Sequence, residues 1–130
     1  MPPFELKAGV TRFGFSGRYG VDWDVYSVAA QPQQALIGNW EVTPWGGYIT
    51  DKDESQHILR VHGTGAFTTL VLPWRKGEKP TGLTVTQDGD AILVKTADTA
   101  MRIEPTGYSF TTGRGTVKRT FGSSSGASPR

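Results

Sequence analysis

Short apolar runs that end at glycine or proline are the feature that most constrains the fold of this chain. Within these runs apolar and polar residues alternate with a period of two, which is typical of β-strands, and the period of 3.6 that marks a helix is hard to find. The 130 residues include 17 Gly and 8 Pro, which favours many turns and short strands. The sequence therefore predicts an all-β fold.

The clearest local pattern is LTVTQDGDAILVKT, at residues 83–96. Leu83 and Val85 alternate with threonines, Asp88-Gly89 tolerates a positive φ in a tight turn, and the run from Ala91 to Lys95 returns. This pattern predicts a β-hairpin. Other short strands are predicted over 25–30, 35–40, 57–63, 66–73, 100–105 and 108–112.

Pro73 interrupts one of these strands. Proline cannot donate a hydrogen bond to a neighbouring strand, so the strand that begins near residue 66 is predicted to end there. Its two faces both become apolar toward this end, which suits a central strand covered on both faces or a strand that runs into a rim.

Seven to nine short strands at regular spacing predict an antiparallel β-sandwich of two packed sheets over residues 1–113. Residues 114–130 are rich in Gly, Ser, Thr and basic residues, and they are predicted to form a flexible tail. The tail carries four basic residues and no acid, so residues 1–113 have a net charge of −2 although the whole chain has +2. Any attraction for an anion must therefore come from a local patch.

Several classes of function lose support from this composition. The nearly neutral body lacks the basic field of a nucleic-acid-binding protein, and no apolar run has the ~20 residues of a membrane helix. We therefore expect neither nucleic acid nor membrane as a partner. The chain has no cysteine for a disulfide or a thiolate metal site, and its first residues, MPPFELKAG, lack the pattern of a signal peptide and look like a start inside a longer chain.

No catalytic residues can be assigned from motifs. The chain has no G-x-S-x-G nucleophile turn and no glycine-rich nucleotide loop between a strand and a helix, so we expect no cofactor. The only histidines, His57 and His62, lie five residues apart on one predicted strand and face opposite sides of the sheet. Each is either a ligand or acid–base group, or simply a hydrogen-bonded histidine of a sheet.

Two acidic segments offer hard oxygen ligands at a spacing of two residues. They are DWD, with Asp22 and Asp24, and DKDE, with Asp51, Asp53 and Glu54. In an extended chain such carboxylates share a face and can contribute to a calcium site, but neither segment has the pattern of a calcium loop. The competing interpretation is an acidic surface turn ahead of a strand, and no metal site is predicted.

The segment PWRKGEK, residues 73–79, combines an aromatic ring with cations. Indole rings stack on sugar faces and guanidinium groups pair with carboxylate or sulfate, so Trp74, Arg75 and Lys76 have the parts of a site for an acidic sugar. The alternative is that the tryptophans fill a core and the cations decorate a solvated turn. The other aromatic candidates are Trp23, Trp40, Trp45, Tyr19, Tyr26, Tyr48 and Tyr108.

Three segments together resemble the C-terminal β-sandwich domain of heparinase II/III-like polysaccharide lyases. They are DWDVYSVAAQPQQALIGNW, ESQHILRVHGTGAFTTLVLPWRKGEKP and LTVTQDGDAILV, and the resemblance covers roughly residues 20–110. Its most telling part is an E-x-Q-H strand and a glycine-rich turn, followed by an apolar strand that ends in Pro-aromatic-Arg-Lys-Gly.

The resemblance implies a parent enzyme with an N-terminal α/α toroid, which cleaves uronic-acid-containing polysaccharides by β-elimination in the cleft between the two domains. Most catalytic groups of such enzymes belong to the toroid, so this chain alone is expected to be catalytically incomplete. Some relatives hold a structural zinc in the sandwich, but these two histidines provide no such site. The residues carried over as contacts for an acidic polysaccharide are His57, Trp74, Arg75 and Lys76, and such a parent implies a periplasmic or secreted location.

Two further functions stay open at this stage. One is a stand-alone carbohydrate-binding module, which requires an exposed aromatic platform. The other is a purely structural or assembly module, which a long and apolar unpaired sheet edge would favour.

Overall fold

Eleven strands account for most of the residues that this computed structural model describes, which are 3–17, 19–40 and 56–122. In chain order they are β1 (Phe4–Leu6), β2 (Gly9–Ser16), β3 (Val21–Ala29), β4 (Gln33–Trp40), β5 (Gln56–Gly63), β6 (Phe67–Arg75), β7 (Thr84–Asp88), β8 (Ala91–Lys95), β9 (Ala100–Glu104), β10 (Gly107–Thr112) and β11 (Gly115–Thr120).

The predicted fold class is confirmed: the described part of the chain is all-β, with antiparallel sheets of the kind that build a β-sandwich and no helix. The sheets number three, where the sequence predicted two, and their strand orders are β1-β4-β5, β2-β3-β6 and β11-β10-β9-β8-β7. The strand count also exceeds the prediction, since β1, β2 and β11 were not expected.

Chain contacts divide the molecule into two compact units. The first comprises residues 1–11 and 27–68, and it holds the whole sheet β1-β4-β5. Antiparallel pairing sets Phe4 opposite Ala35 and Ile37 opposite Leu59. The buried apolar side chains of this unit are Leu6, Val28, Ala29 and Ala35.

The second unit comprises residues 12–26 and 69–130 and holds the five-stranded sheet. Each of its strands pairs with the next along the chain, and the registers align one apolar residue from every strand in a single row. Because side chains alternate across a strand, this row defines the apolar face of the sheet, and the opposite face is polar. The row is Val85, Val94, Met101, Phe110 and Val117.

The predicted hairpin is confirmed as β7 and β8. Asp88 pairs with Ala91, so the turn consists of Gly89 and Asp90. Gly89 has a φ of 58° and Asp90 has no positive φ, which is the φ pattern of a type II′ turn, in which glycine occupies the first central position.

The prediction that a strand ends at Pro73 is wrong, because β6 continues to Arg75. The physical reason lies in the sheet order: among the described strands, β6 is an edge of the sheet β2-β3-β6. On an edge strand a proline needs no ladder partner for its missing N–H on the outward side. The same edge position rules out the central-strand interpretation.

The predicted start of the flexible tail at 114 is also wrong. Residues 115–120 form β11, which pairs with β10 from Thr112 opposite Gly115 to Gly107 opposite Thr120. All six side chains of β11 are exposed, so backbone hydrogen bonds, rather than apolar burial, hold this strand. Residues 123–130 of the predicted tail lie outside the described residues.

Candidate functional site

Asp24 on β3 is the largest fully buried side chain among the described residues, with 1% of its surface exposed. The Arg12 guanidinium on the neighbouring strand β2 holds it with two hydrogen bonds, from Nε to Oδ2 at 2.7 Å and from Nη2 to Oδ1 at 2.8 Å. This bidentate geometry is the strongest common arrangement for a guanidinium and a carboxylate. The hydroxyl of Tyr26 donates a further hydrogen bond to Oδ2 at 3.2 Å.

Gly14 provides the space that this pair needs. It lies two residues after Arg12 on β2, and a Cβ there would lie 3.4 Å from Arg12 Nη2 and 3.5 Å from Asp24 Oδ1. A methyl group there would just fit against the ion pair. The glycine therefore leaves an open path along β2 for the arginine side chain.

The ion pair decides the protonation of these groups. Burial alone would raise the pKa of the Asp24 carboxyl, but hydrogen bonds and charge from Arg12, together with the Lys79 charge and the Tyr26 hydroxyl, hold it below its usual value of 3.8. Burial, followed by the negative charge of Asp24, raises the pKa of the Tyr26 hydroxyl. Asp24 is therefore a carboxylate and Tyr26 a neutral phenol at neutral pH.

Lys79 connects Asp24 to the indole of Trp74. Its Nζ lies 3.5 Å from Asp24 Oδ2 and 5.2 Å from the centre of the Trp74 ring, which is within the range of a cation–π contact. Trp74 is half-buried, and 46% of the Lys79 side chain is exposed. The partly exposed ammonium group of Lys79 therefore lies between a buried carboxylate and a half-buried indole ring.

A second ion pair is anchored in the turn that follows β6. Lys76 Nζ donates to Asp22 Oδ1 at 2.6 Å and to Ser16 Oγ at 2.9 Å, and the N–H of Gly17 donates to the same Asp22 oxygen at 3.0 Å. The hydrogen bond from Lys76 is the main reason that the pKa of Asp22 lies below its usual value.

Backbone geometry fixes the position of Lys76. Glu78 N–H donates to the Arg75 carbonyl, and Gly77 has a φ of 80°, as required at the third position of a type II turn. The backbone N–H of Lys76 also donates to the Gly20 carbonyl at 2.9 Å. We call the seven residues around these three ion pairs the Asp24 cluster: Arg12, Asp22, Asp24, Tyr26, Trp74, Lys76 and Lys79.

Two of the four predicted contact residues belong to this cluster, and a third, Arg75, does not. Trp74 and Lys76 lie in it. Arg75 is exposed, and because it follows Trp74 within β6, its side chain points to the opposite face of the strand. The guanidinium of Arg75 has no ion-pair partner among the described residues.

The remaining candidates lie elsewhere or outside the described part of the chain. The backbone of His57 pairs with Asn39, but its side chain lies outside the described residues, as does the side chain of Trp40. His62 is exposed on β5. Also outside the description are Trp45, Tyr48, Asp51, Asp53 and Glu54.

The two carboxylates of the DWD segment share a face, as the spacing predicts, but cations bind them. Asp22 is held by Lys76 and Asp24 by Arg12 and Lys79. The interpretation of this segment as a surface turn is wrong, because it lies inside β3 and Asp24 is buried. Within the described ranges there is no group of three or more His, Asp or Glu side chains that could hold a metal ion.

Sequence reasoning missed Arg12 and Lys79 as partners of Asp24. The signal for Arg12 is the alternation of apolar and polar residues in GVTRFGFS, which is typical of a strand.

On the other face of β2 and β3, the rings of Phe15 and Trp23 stack with their centres 5.9 Å apart.

Comparisons with known proteins give no family: no protein-family model, no curated protein and no solved structure matches this chain. Among the described residues, no helix has the length and apolar character needed to cross a membrane.

Proposed function

We propose that this chain binds an acidic, uronic-acid-containing polysaccharide through the Asp24 cluster. The observation that carries the proposal is the position of Lys79, whose ammonium group lies beside both a buried carboxylate and a half-buried indole ring. A sugar carboxylate that pairs with Lys79 brings its ring next to Trp74, and indole rings favour stacking on sugar faces.

The charge balance of the cluster supports an anionic ligand. Three cations, Arg12, Lys76 and Lys79, surround two carboxylates, which leaves one positive charge in excess. The exposed fractions of the three cationic side chains are 51%, 42% and 46%, so each has surface available for a ligand. The two other charges of this segment, Arg75 and Glu78, cancel each other.

The carboxylates position these cations for a ligand. The bidentate pair with Asp24 uses Nε and Nη2 and holds the Arg12 guanidinium in one orientation. Cations fixed in this way lose less conformational freedom when a ligand binds than cations on free side chains do. The cluster therefore suits a chain of repeating carboxylates.

The parent protein in this proposal is a heparinase II/III-like polysaccharide lyase, of which this chain is the C-terminal β-sandwich domain. Alone it is catalytically incomplete and forms one wall of a cleft against an α/α toroid. This part rests on the sequence resemblance over residues 20–110. A parent gene that encodes no helical region ahead of Met1 would contradict this part of the proposal.

Binding to the polysaccharide is tested by titrating the chain with heparin, alginate, chondroitin and the neutral polymer dextran. We expect binding of the acidic polymers only, weakening as salt rises, because ions screen exposed charges over about 10 Å at 0.1 M. Equal binding of dextran, or binding that ignores salt, would refute a charge-based contact.

The second candidate is a stand-alone carbohydrate-binding module. The partial exposure of Trp74 and Trp23 supports this candidate. Such a module would bind neutral glycans through a ring face, so the dextran titration separates the two functions. At the edge strand β11 an assembly role has little support, because this strand carries Lys118 and Arg119, and cations oppose edge-to-edge pairing.

A further inference from the structure

Strand β6 presents a long free edge. It lies at the end of the sheet β2-β3-β6, so no strand of the described part of the chain lies on its outward side. Its sequence is FTTLVLPWR, in which the only charged residue is the last, Arg75. A long edge with so little charge is a template for pairing with another strand, because no like charges repel the partner.

The backbone groups that form this edge follow from one hydrogen bond. The N–H of Lys76, directly after β6, donates to the carbonyl of Gly20, directly before β3, so the backbone of Lys76 faces β3. Successive residues of an antiparallel strand direct their N–H and C=O groups alternately to the two sides. Phe67, Thr69 and Val71 lie at odd distances from Lys76, so their N–H and C=O groups point away from β3.

The side chains of these outward-facing residues are exposed as well. Phe67 is 42% and Val71 58% exposed, and Thr69 between them is exposed. The next outward position is Pro73, which has no N–H to donate and therefore limits pairing to the part of the strand before it. We call residues 67–72 the β6 edge. They are aromatic, β-branched or leucine, the composition of segments that add to a sheet.

A second copy of this chain matches the β6 edge by symmetry. A twofold axis beside Thr69 sets Thr69 opposite its own counterpart and sets Phe67 opposite Val71 of the second copy. Each outward N–H then meets an outward C=O of the other copy. Thr–Thr pairs and aromatic–β-branched pairs both stabilise antiparallel strands. Pro73 stays outside the paired segment, so its missing N–H costs nothing.

We propose that this protein forms a symmetric dimer in which the β6 edges of two copies pair antiparallel and join two β2-β3-β6 sheets into one. A single strand pair is a small interface, so the dimer is weak and depends on concentration. The β6 edge carries no charge, so salt does not weaken the dimer. It includes no residue of the Asp24 cluster, so this proposal holds or fails independently of polysaccharide binding.

The test is sedimentation equilibrium of the full chain between about 1 μM and 1 mM. We expect the mass to rise with concentration from 14.1 kDa toward that of a dimer, equally at low and high salt. Val71→Lys should raise the dissociation constant of the dimer about tenfold or more, because it places a charge in the Phe–Val pair. Since Val71 is exposed, we expect this variant to stay folded, which a thermal melt verifies.

The matched control is Val117→Lys. Val117 is 47% exposed and also lies on an edge strand, β11, but of the other sheet in this unit. We expect it to associate as the wild type does. A wild type that stays monomeric throughout, or an equal weakening in both variants, would overturn the β6 dimer.

Cross-linking tests the register. The chain has no cysteine, so Thr69→Cys introduces a single thiol, which the twofold axis brings next to its counterpart. With a short bis-maleimide reagent we expect covalent dimers of this variant at concentrations where the wild type associates. Thr86→Cys, an exposed residue on the edge strand β7, should stay mostly monomeric. Equal cross-linking of the two variants would contradict pairing about Thr69.

Discussion

Arg12 is the residue on which the buried Asp24 carboxylate most depends, and the sequence predicted neither its contact nor the strand that carries it. The segment DWD alone indicates two carboxylates on one face, which is correct. The same sequence is also compatible with a solvated turn. Burial of Asp24 follows from the pairing of β2 beside β3, which is a contact between separate segments. The spacing of residues in one segment does not contain that information.

Removing Arg12 should destabilise the protein more than removing a surface cation. Arg12→Ala leaves the buried Asp24 carboxylate with only Lys79 and Tyr26, and an uncompensated buried charge costs about 3–5 kcal/mol. Because these two partners remain, we expect a loss of about 2–3 kcal/mol in the free energy of unfolding. Urea denaturation measures it.

Arg102→Ala is the control for this variant. Arg102 also contacts two carboxylates, but all three groups are exposed, so its loss should change stability much less. Equal losses for the two variants would show that burial of Asp24 does not govern the energy of its ion pair.

Acid should weaken the fold through the same carboxyl groups. The pKa values of Asp22 and Asp24 lie below the usual 3.8 in the folded protein, so their contribution to stability is complete above that value and is lost as the pH falls through the lowered pKa values. We expect the melting temperature to fall as the pH drops below about 4, and Asp24→Asn to flatten this dependence. An unchanged slope in Asp24→Asn would contradict the lowered pKa.

At the scale of elements, alternation and turn residues predicted most of the strands, and edges and long-range pairing account for the errors. The β7–β8 hairpin is local and was predicted with its turn glycine. The strand end predicted at Pro73 was wrong because the effect of a proline depends on whether its strand is central or at an edge. A local sequence pattern does not contain the position of β6 in its sheet. Strand β11 was missed because it buries no side chain.

The turn between β2 and β3 offers a test at this scale. A Cβ on Gly17 would overlap the Val21 carbonyl oxygen and lie 2.8 Å from Trp23 Cζ3. We therefore expect Gly17→Ala to lower the free energy of unfolding by about 1–3 kcal/mol, as overpacking does elsewhere. Gly113→Ala is the control, since a Cβ there meets no atom within 4 Å; comparable losses in both would exclude the overlap as the cause.

At the scale of the whole molecule, the folded region extends beyond the predicted boundary at residue 113. A chain that ends at Thr112 leaves β10 without its partner β11 and removes the contact of Phe121 with Tyr108, whose ring centres lie 6.1 Å apart. We expect it to melt at a lower temperature than a chain that ends at Gly122. Identical melting curves would mean that β11 contributes nothing to stability.

Fold class was accessible from the sequence because a period of two is a property of each segment alone. The Asp24 cluster was accessible only in part: PWRKGEK indicated Trp74 and Lys76, but the cluster draws its other members from β2, β3 and the turn after β6. Arg75 was predicted to act together with Trp74 because the two are adjacent in sequence. Adjacent residues of a strand point to opposite faces, so the two side chains do not lie together.

The most direct test of the central claim is the affinity for alginate, a carboxylated polymer without sulfate, measured by calorimetry at low salt. Lys79→Met keeps an unbranched side chain to cover Trp74 and removes only the ammonium group. We expect its dissociation constant to rise about five- to tenfold over the wild type, while Lys95→Met binds as the wild type does. Wild-type protein that fails to bind alginate, or Lys79→Met that binds it equally well, would contradict the assignment of the Asp24 cluster as a site for acidic polysaccharide.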